Sequence, residues 1–240
     1  MLRRTLGKLI PDYAILPLAL TGINNIIAFN GGKLIQLITG IAPHDMTWEA
    51  VDSLFPFSPI WILAYIATFA FWIYQYVTVA RESREQAYRL AAGDFTAKLI
   101  CMIFFVLLPT TNVRPNVEGK GFFLFLTRFI YMVDTPRNLF PSIHCFVAWL
   151  GTRQLFEAKK LRHKLPVCIL CVIGSLLVFA STLHTKQHVF VDVLGGIAVA
   201  EIGYLVARFT ALPNLFRRLN ERFMESKIFR FLTKYIVHYE

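Results

Sequence analysis

A histidine and an aspartate four residues apart, His188 and Asp192, stand at the start of a long apolar run. Residues at this spacing share one face of a helix, so the Asp192 carboxylate can bond the His188 imidazole. A carboxylate on one ring nitrogen fixes the tautomer and leaves the other nitrogen as a nucleophile or a base. Lys186, just before the pair, could meet a negatively charged group. The spacing is also common by chance, so on its own it favours a polar helix start, and the catalytic interpretation depends on the other motifs.

Two further polar segments carry residues of the same kind. Pro141 and Ser142 precede an apolar run, where a helix N-terminus with free amides can bind an anion. Ser142 could cap that helix or donate its hydroxyl to a phosphate oxygen, and the two roles are compatible. His144 follows in the first helical turn, and Arg114 lies in a loop with forked donors that suit a phosphate. Together these residue types predict chemistry on a phosphate group.

The composition is that of a membrane protein. The 240 residues are 56% hydrophobic and 17% charged, with 22 phenylalanines, whereas soluble domains have about 45–50% apolar and about 25% charged residues. The net charge of +10 could indicate a nucleic-acid partner. However, the basic residues cluster beside apolar spans without an aromatic-interleaved recognition motif, so we expect membrane lipids and no nucleic acid as partners.

The apolar runs predict an all-α membrane protein with six transmembrane helices. A charged connection is expected over residues 81–94, and a short interfacial helix in the loop 110–141, where phenylalanines are dense. We divide the chain into a six-span catalytic domain, residues 1–210, and a basic amphipathic cytoplasmic tail, residues 211–240. The expected spans are 13–41, 60–80, 96–108, 142–156, 165–183 and 188–207.

The distribution of positive charge predicts the orientation in the membrane. Most of the 25 lysines and arginines lie at the N-terminus, between Arg81 and Lys98, between Arg153 and Lys164, and in the tail from Arg208. Basic residues mark cytoplasmic loops, so both termini are expected inside the cell, with the plasma membrane as the expected location. The segments that carry Arg114, His144 and His188 then all emerge on the extracytoplasmic face.

In these residues the chain resembles the membrane-embedded type-2 phosphatidic acid phosphatase superfamily, which also includes sphingolipid phosphotransferases. The family has three motifs: a lysine well before Arg-Pro, then Pro-Ser-Gly-His, then Ser-Arg followed by a spaced His and Asp. The resemblance covers residues 108–196 and the six-span layout. The matching residues are Arg114 and Pro115 for the first motif, Pro141, Ser142 and His144 for the second, and Ser181, His188 and Asp192 for the third.

The motifs also depart from the family pattern. Leu107 stands in place of the first-motif lysine, Ile143 in place of the glycine, and Thr182 in place of the third-motif arginine. Two phosphate-binding cations are therefore missing, and Lys186 is the candidate to supply one of them. The Thr-Lys-Gln-His form that ends at His188 looks like the inositol phosphorylceramide synthase and sphingomyelin synthase branch.

The resemblance implies phosphoryl transfer in two steps without a metal or another cofactor. His188 attacks phosphorus to form a phosphohistidine, His144 acts as acid and then as base, and Asp192 orients His188. Arg114, Ser142, Lys186 and the amides at the helix start stabilise the phosphoryl oxygens. We expect hydrolysis of a phosphomonoester or diphosphate lipid, with transfer of a phospho-headgroup between lipids as the alternative.

A transporter is the main interpretation from another class, because polar residues inside a membrane often line transport paths. Glu201 in the last span is the feature that favours it. Glu201 could also simply pair with a basic inner-loop residue. A purely structural role gives no reason for three histidine- or arginine-bearing motifs on one face.

Overall fold

The computed structural model describes residues 10–161 and 163–236. The N-terminal basic residues Arg3, Arg4 and Lys8, together with Arg162 and the tail residues 237–240, lie outside the described residues. The described chain forms α1 (Asp12–Thr39), β1 (His44–Asp45), α2 (Glu49–Asp52), a 3₁₀ turn (Pro59–Trp61), α3 (Ile62–Glu82), α4 (Arg84–Leu107), β2 (Thr110–Thr111), α5 (Phe122–Val133), α6 (Ile143–Leu155), α7 (Lys164–His184), α8 (Phe190–Phe209), α9 (Leu212–Glu225) and α10 (Lys227–Ile236).

Five of the described helices are long and apolar enough to cross a membrane. These are α1, α3 with its preceding turn, α4, α7 and α8, of which α8 is the shortest with 20 residues. A rise of about 1.5 Å per residue gives a 20-residue helix a length of about 30 Å, the thickness of the hydrocarbon core. The prediction of an all-α membrane protein is therefore confirmed.

The predicted fourth span corresponds to α6, which has only 13 residues. At about 1.5 Å per residue it is about 20 Å long and falls short of the hydrocarbon thickness. All of its residues except Trp149 and Arg153 are buried. Because other helices surround α6, its backbone and polar side chains contact protein more than lipid. The number of six membrane spans therefore stays a prediction.

The segment 81–94, expected as a connection, is helical for most of its length. Ser83 caps α4 by accepting a hydrogen bond from the Gln86 amide at 3.1 Å, so the helix begins at Arg84. The alanines that follow have high helix propensity, and Ala91 and Ala92 pack with Phe216 of α9. The expected boundary was wrong because a cap and tertiary packing outweighed the charge pattern.

Helix α4 runs through the middle of the bundle and meets α8 backbone to backbone. A Cβ atom on Gly203 would lie 2.5 Å from the Gly93 carbonyl oxygen, closer than real Cβ contacts. Small residues at such crossings let membrane helices approach closely. A second close approach positions the site: a Cβ atom on Gly196 would lie 2.7 Å from the carbonyl oxygen of Ser142.

A buried ion pair ties α1, α3 and α4 together. Lys98 Nζ lies 2.8 Å from Asp94 Oδ2, and the two side chains are 5% and 0% exposed. The Tyr76 hydroxyl donates to Asp94 Oδ1, and Lys98 Nζ donates to the Thr21 carbonyl, each at 2.8 Å. Counting Lys98 among the cytoplasmic charges was therefore wrong, because an aspartate one turn away neutralises it inside the bundle.

The two ends of the bundle can be told apart by their contacts. Tyr13 at the start of α1 donates to the Arg81 carbonyl at the end of α3, and Arg208 at the end of α8 pairs with Glu157 after α6. Helix α9 packs on the start of α4 at the same end. The start of α1 and the end of α8 thus lie on one face, and the loops before α6 and α8 lie on the opposite face.

The two predicted amphipathic elements are helical. Helix α5 covers the expected phenylalanine-rich segment of the 110–141 loop. The tail forms two helices instead of one, because Ser226 takes an extended backbone conformation between α9 and α10. Asn220 of α9 is fully buried and donates to the Tyr88 hydroxyl at 3.1 Å, so α9 packs against the transmembrane helices. The domain division at residue 210 stays a prediction.

Candidate active site

Two histidines and one aspartate from the sequence motifs lie together between α6 and α8. His188 Nδ1 lies 3.1 Å from Asp192 Oδ2, and His188 Nε2 lies 3.4 Å from His144 Nδ1. Asp192 is fully buried, and each histidine is 6% exposed. A carboxylate accepts hydrogen bonds only, so His188 carries its proton on Nδ1 and directs the Nε2 lone pair at His144.

His188 and Asp192 do not share a helix face as the spacing predicted. Helix α8 begins at Phe190, and His188 lies in the preceding turn, where its amide donates to the Thr182 carbonyl at 3.2 Å. Asp192 lies in the first turn of α8 and accepts the Val189 amide at 3.0 Å with Oδ2. The same carboxylate oxygen therefore caps the helix and orients the His188 ring.

The start of α6 is fixed against α8 by Ser142. Its Oγ accepts a hydrogen bond from the Cys145 amide at 3.3 Å, which is the expected cap. Its amide donates to the Asp192 carbonyl at 3.0 Å. Together with the close approach of Gly196, these bonds place His144, two residues after Ser142, directly beside His188.

Aromatic side chains of α3 enclose the other side of the His144 ring. The ring centroids of Tyr65 and Trp72 lie 4.9 and 5.2 Å from that of His144. The Tyr65 hydroxyl lies 2.9 Å from His144 Nε2 and donates to Asp134 Oδ2 at 2.8 Å. Sequence reasoning missed Tyr65 and Asp134, because no motif connects α3 with the end of α5.

Arg114 lies near the histidines, but its guanidinium donates hydrogen bonds to other protein atoms. It donates to the Asp134 carbonyl and to Gln187 Oε1. It also lies over the Tyr131 ring, 4.7 Å from the centroid. Burial lowers the pKa of the Arg114 guanidinium below its ordinary value and raises the pKa of Tyr131 to about 12. Arg114 therefore joins the 110–141 loop to the residue next to His188.

Lys186 is not directed at the histidines. Its backbone lies in the left-handed region with φ +53°, and Nζ donates to the Asp52 carbonyl of α2 at 3.0 Å. The Asn112 amide group donates to the Lys186 carbonyl, also at 3.0 Å. Lys186 thus holds the segments of Asp52 and Asn112 against the site.

A small polar cavity lies beside the two histidines. It measures about 20 Å³, which is room for about one water molecule. Its lining residues are Asp134, Arg137, Asn138, Leu139, Ile143, His144, Gln187 and His188.

Two lining residues of the small cavity offer donors that the motifs did not indicate. Gln187 is 1% exposed, and its Nε2 is buried without a hydrogen-bond partner while Arg114 holds its Oε1. Arg137 is exposed and lies at the rim of the cavity. The only sequence signal for them was their position next to motif residues.

A larger apolar cavity touches the opposite side of His144. It measures about 270 Å³ and is lined by Asn25, Tyr65, Phe69, Trp72, Ile130, Val133, Asp134, Ile143 and His144. A second apolar cavity of about 280 Å³ shares Asn25 and Trp72 with it and extends between α1 and α3. His144 thus lies between a polar space beside His188 and an apolar space that can hold hydrocarbon.

The side chains around the two histidines are mainly donors and aromatic rings. Residues 10–161 and 163–236 contain no group of three or more His, Cys, Asp and Glu side chains placed to hold a metal ion.

Comparison with protein families matches the model of the PAP2 superfamily to residues 60–206. Comparison with curated proteins and with solved structures gives no match. The matched range is more than half of the chain and contains all three motif segments, from Arg114 to Asp192. It also contains Tyr65 and the whole of α3 to α7. This chain is therefore an integral membrane protein that belongs to the PAP2 superfamily, the type-2 phosphatidic acid phosphatase superfamily.

Proposed function

We propose that this protein hydrolyses a phosphomonoester or diphosphate lipid through a phosphohistidine on His188. The observation that carries the proposal is the position of His144 between the small polar cavity and the larger apolar cavity. A substrate with a phosphate in the first space and a hydrocarbon chain in the second places its ester oxygen beside His144. A lipid phosphate has this shape.

In the first step the lone pair of His188 Nε2 attacks phosphorus. The N–P bond forms while the P–O bond to the lipid breaks, and the leaving oxygen takes the proton from His144 Nδ1. Asp192 keeps the other His188 nitrogen protonated and stabilises the charge that develops on the ring.

In the second step water replaces the lipid. His144 Nδ1 takes a proton from water, whose oxygen attacks phosphorus, and the P–N bond breaks. Inorganic phosphate leaves, His188 regains its lone pair, and His144 is protonated again.

Several donors would stabilise the phosphoryl oxygens. Gln187 Nε2 and Arg137 line the small cavity, and Arg114 acts through its bond to Gln187 Oε1. The hydroxyl hydrogen of Ser142 remains available because its cap uses an oxygen lone pair. Lys186 would have to leave the Asp52 carbonyl to reach the phosphate, so its direct role is the least supported among the residues expected to bind phosphate.

Phosphate release without an acceptor is the expected result for the purified protein. In mixed micelles with phosphatidate or an isoprenyl diphosphate, it should release inorganic phosphate when no alcohol is added. The measurement is free phosphate together with analysis of the lipid products, with and without diacylglycerol, ceramide or inositol. Turnover that requires an added alcohol, with the headgroup recovered on that alcohol, would replace the phosphatase by the transferase.

The second apolar cavity favours headgroup transfer as the other candidate. It adjoins the first cavity at Asn25 and Trp72 and has a similar volume, so a second lipid could lie there. The transporter interpretation loses its main support. Glu201 accepts from Arg153 Nε at 2.8 Å and from Trp149 Nε1 at 2.7 Å, so it pairs with a basic residue of α6.

The extracytoplasmic location of the site is part of the proposal and has its own test. A membrane-impermeant amine reagent applied to intact cells should modify Lys120, which is exposed before α5, and spare Lys160 after α6. Mass spectrometry of the labelled peptides reads out each lysine separately, and permeabilised cells provide the control in which both react. Labelling of Lys160 alone in intact cells would place the site on the cytoplasmic side.

A further inference from the structure

Five side chains form one continuous row of hydrogen-bonding contacts through the site. Asp192 contacts His188, His188 faces His144, His144 contacts Tyr65, and Tyr65 donates to Asp134. The four heavy-atom distances along the row are 3.1, 3.4, 2.9 and 2.8 Å. Each histidine therefore has one nitrogen toward its neighbouring histidine and the other toward a group that ends in a carboxylate.

The direction of the hydrogen bonds follows from the groups present. Tyr65 has one hydroxyl hydrogen, which it donates to the Asp134 carboxylate. Its oxygen can then only accept from His144, so His144 carries a proton on Nε2. The proton that His144 gains and loses is consequently the one on Nδ1, the nitrogen that faces His188 and the phosphoryl position.

The arrangement around Tyr65 is built to hold this geometry. Tyr65 is 1% exposed and packs against the His144 and Phe69 rings. Arg114 donates to the main-chain carbonyl of Asp134, which fixes the end of α5 where the carboxylate begins. The Asp134 carboxylate takes no part in the bond with Arg114 and accepts a hydrogen bond from the Tyr65 hydroxyl.

On the basis of the proposed function, we propose that Tyr65 and Asp134 are positioning residues for the acid–base cycle of His144. Asp192 keeps His188 Nδ1 protonated, and Tyr65 together with Asp134 keeps His144 Nε2 protonated in the same way. The reactive nitrogens, Nε2 of His188 and Nδ1 of His144, are then directed at the substrate. As the acid, His144 carries a proton on each nitrogen, and after it gives up the Nδ1 proton the other proton stays on Nε2. Without the Tyr65 oxygen, Nε2–H loses its acceptor, so the doubly protonated acid is less stabilised and Nδ1 is no longer specified as the nitrogen that gives and takes the proton.

Tyr65→Phe tests this role because it removes the hydroxyl and keeps the buried ring. The test compares the first turnover of a lipid phosphate, whose alkoxide needs a proton, with that of p-nitrophenyl phosphate, whose leaving group needs none. The first-turnover rate with the lipid phosphate should fall about 100-fold, at the lower end of general-acid contributions. The burst of p-nitrophenolate should stay within about threefold of the parent, and KM for the lipid should be nearly unchanged.

Two further variants complete the design. Tyr74→Phe makes the same change on an exposed position of α3 and should behave like the parent on both substrates. Asp134→Ala removes the carboxylate but keeps the carbonyl that Arg114 uses, and it should reproduce the selective loss. The double variant should be no slower than either single one, because both act through the same bond. If Tyr65→Phe does not fold, Asp134→Ala carries the test.

The outcomes separate this proposal from the proposed function. A parent protein that cleaves neither substrate refutes both. An active parent with Tyr65→Phe and Asp134→Ala at the parental rate on lipid phosphate refutes the positioning role alone. Equal losses on both substrates also refute it, since a general disturbance of the site does not distinguish leaving groups.

Discussion

His188→Ala is expected to lose lipid phosphate turnover by about four orders of magnitude or more, because it removes the proposed nucleophile. Binding of lipid and insertion into the membrane should persist, since His188 lies in a turn and its backbone bond to Thr182 does not use the ring. The measurements are phosphate release and trapping of a labelled phosphoenzyme that is labile in acid and stable in base. The variant should form none.

His44→Ala is the matched control for this variant. His44 lies exposed in β1, in the loop between α1 and α3, and its amide bonds the Pro109 carbonyl without the ring. It should keep the parental rate. A turnover rate of purified His188→Ala near that of the parent would contradict the assignment of His188 as the nucleophile.

Asp192→Asn probes the same step through the tautomer. Asp192 Oδ2 accepts from both the Val189 amide and His188 Nδ1, and in the asparagine variant the side-chain nitrogen competes for that position as a donor. A donor at that place favours the tautomer with the lone pair on the wrong nitrogen. We expect a loss of about 10⁴ in kcat, as in catalytic triads with the same change, without loss of the folded protein.

Lys98→Met is expected to destabilise the protein by about 3–5 kcal/mol, the usual cost of leaving one partner of a buried ion pair alone. Asp94 is fully buried, and Lys98 provides its only countercharge among the contacts of the described residues. The substitution also removes the bond to the Thr21 carbonyl, which joins α1 to α4. Chemical or thermal unfolding of the purified protein in detergent measures the change.

The double variant Lys98→Met/Asp94→Asn should recover most of the lost stability. It removes the charge as well as its partner, and the Tyr76 hydroxyl can still donate to the oxygen of the introduced side-chain amide. Lys120→Met in the exposed loop should unfold with the parent. An unfolding midpoint for Lys98→Met equal to that of the parent would contradict the buried pair.

The departures from the family motifs acquire a physical interpretation from the site. The positions of the missing cations hold Leu107, which is 74% exposed at the end of α4, and Thr182, which is fully buried in α7. The small cavity instead has the unpartnered Gln187 Nε2 and the exposed rim residue Arg137. A site with fewer fixed cations is suited to a phosphoryl group that carries less negative charge. Transfer of a phospho-headgroup therefore remains an alternative to hydrolysis.

Local sequence patterns predicted most of the helices of this protein. Apolar runs of sufficient length form membrane helices wherever they occur, so the spans that became α1, α3, α7 and α8 were found to within a few residues. The start of α4 was missed because its first turns are polar and are stabilised by the Ser83 cap and by packing on α9. Neither contribution is visible in a hydropathy pattern.

The residues of the candidate chemistry divide in the same way. His144, His188 and Asp192 could be named from the sequence because short spacings within one segment place them at helix starts, and the structure brings those starts together. Tyr65, Asp134 and Gln187 could not be named from the sequence, because their roles depend on bonds between segments that are distant in sequence. The hydrogen bond from Tyr65 to Asp134, for example, joins residues that are 69 positions apart.

The sequence by itself thus determined that the chain lies in a membrane, and it predicted which residues would carry phosphate chemistry and that they lie at the starts of two helices. Only the tertiary structure decided which side chains face the histidines, that Lys186 is held by α2, and that Lys98 is neutralised inside the bundle. The physical reason is the separation along the chain over which each interaction acts. Hydropathy and helix capping act within a few residues, whereas the orientation of an imidazole depends on contacts made across the packed helices.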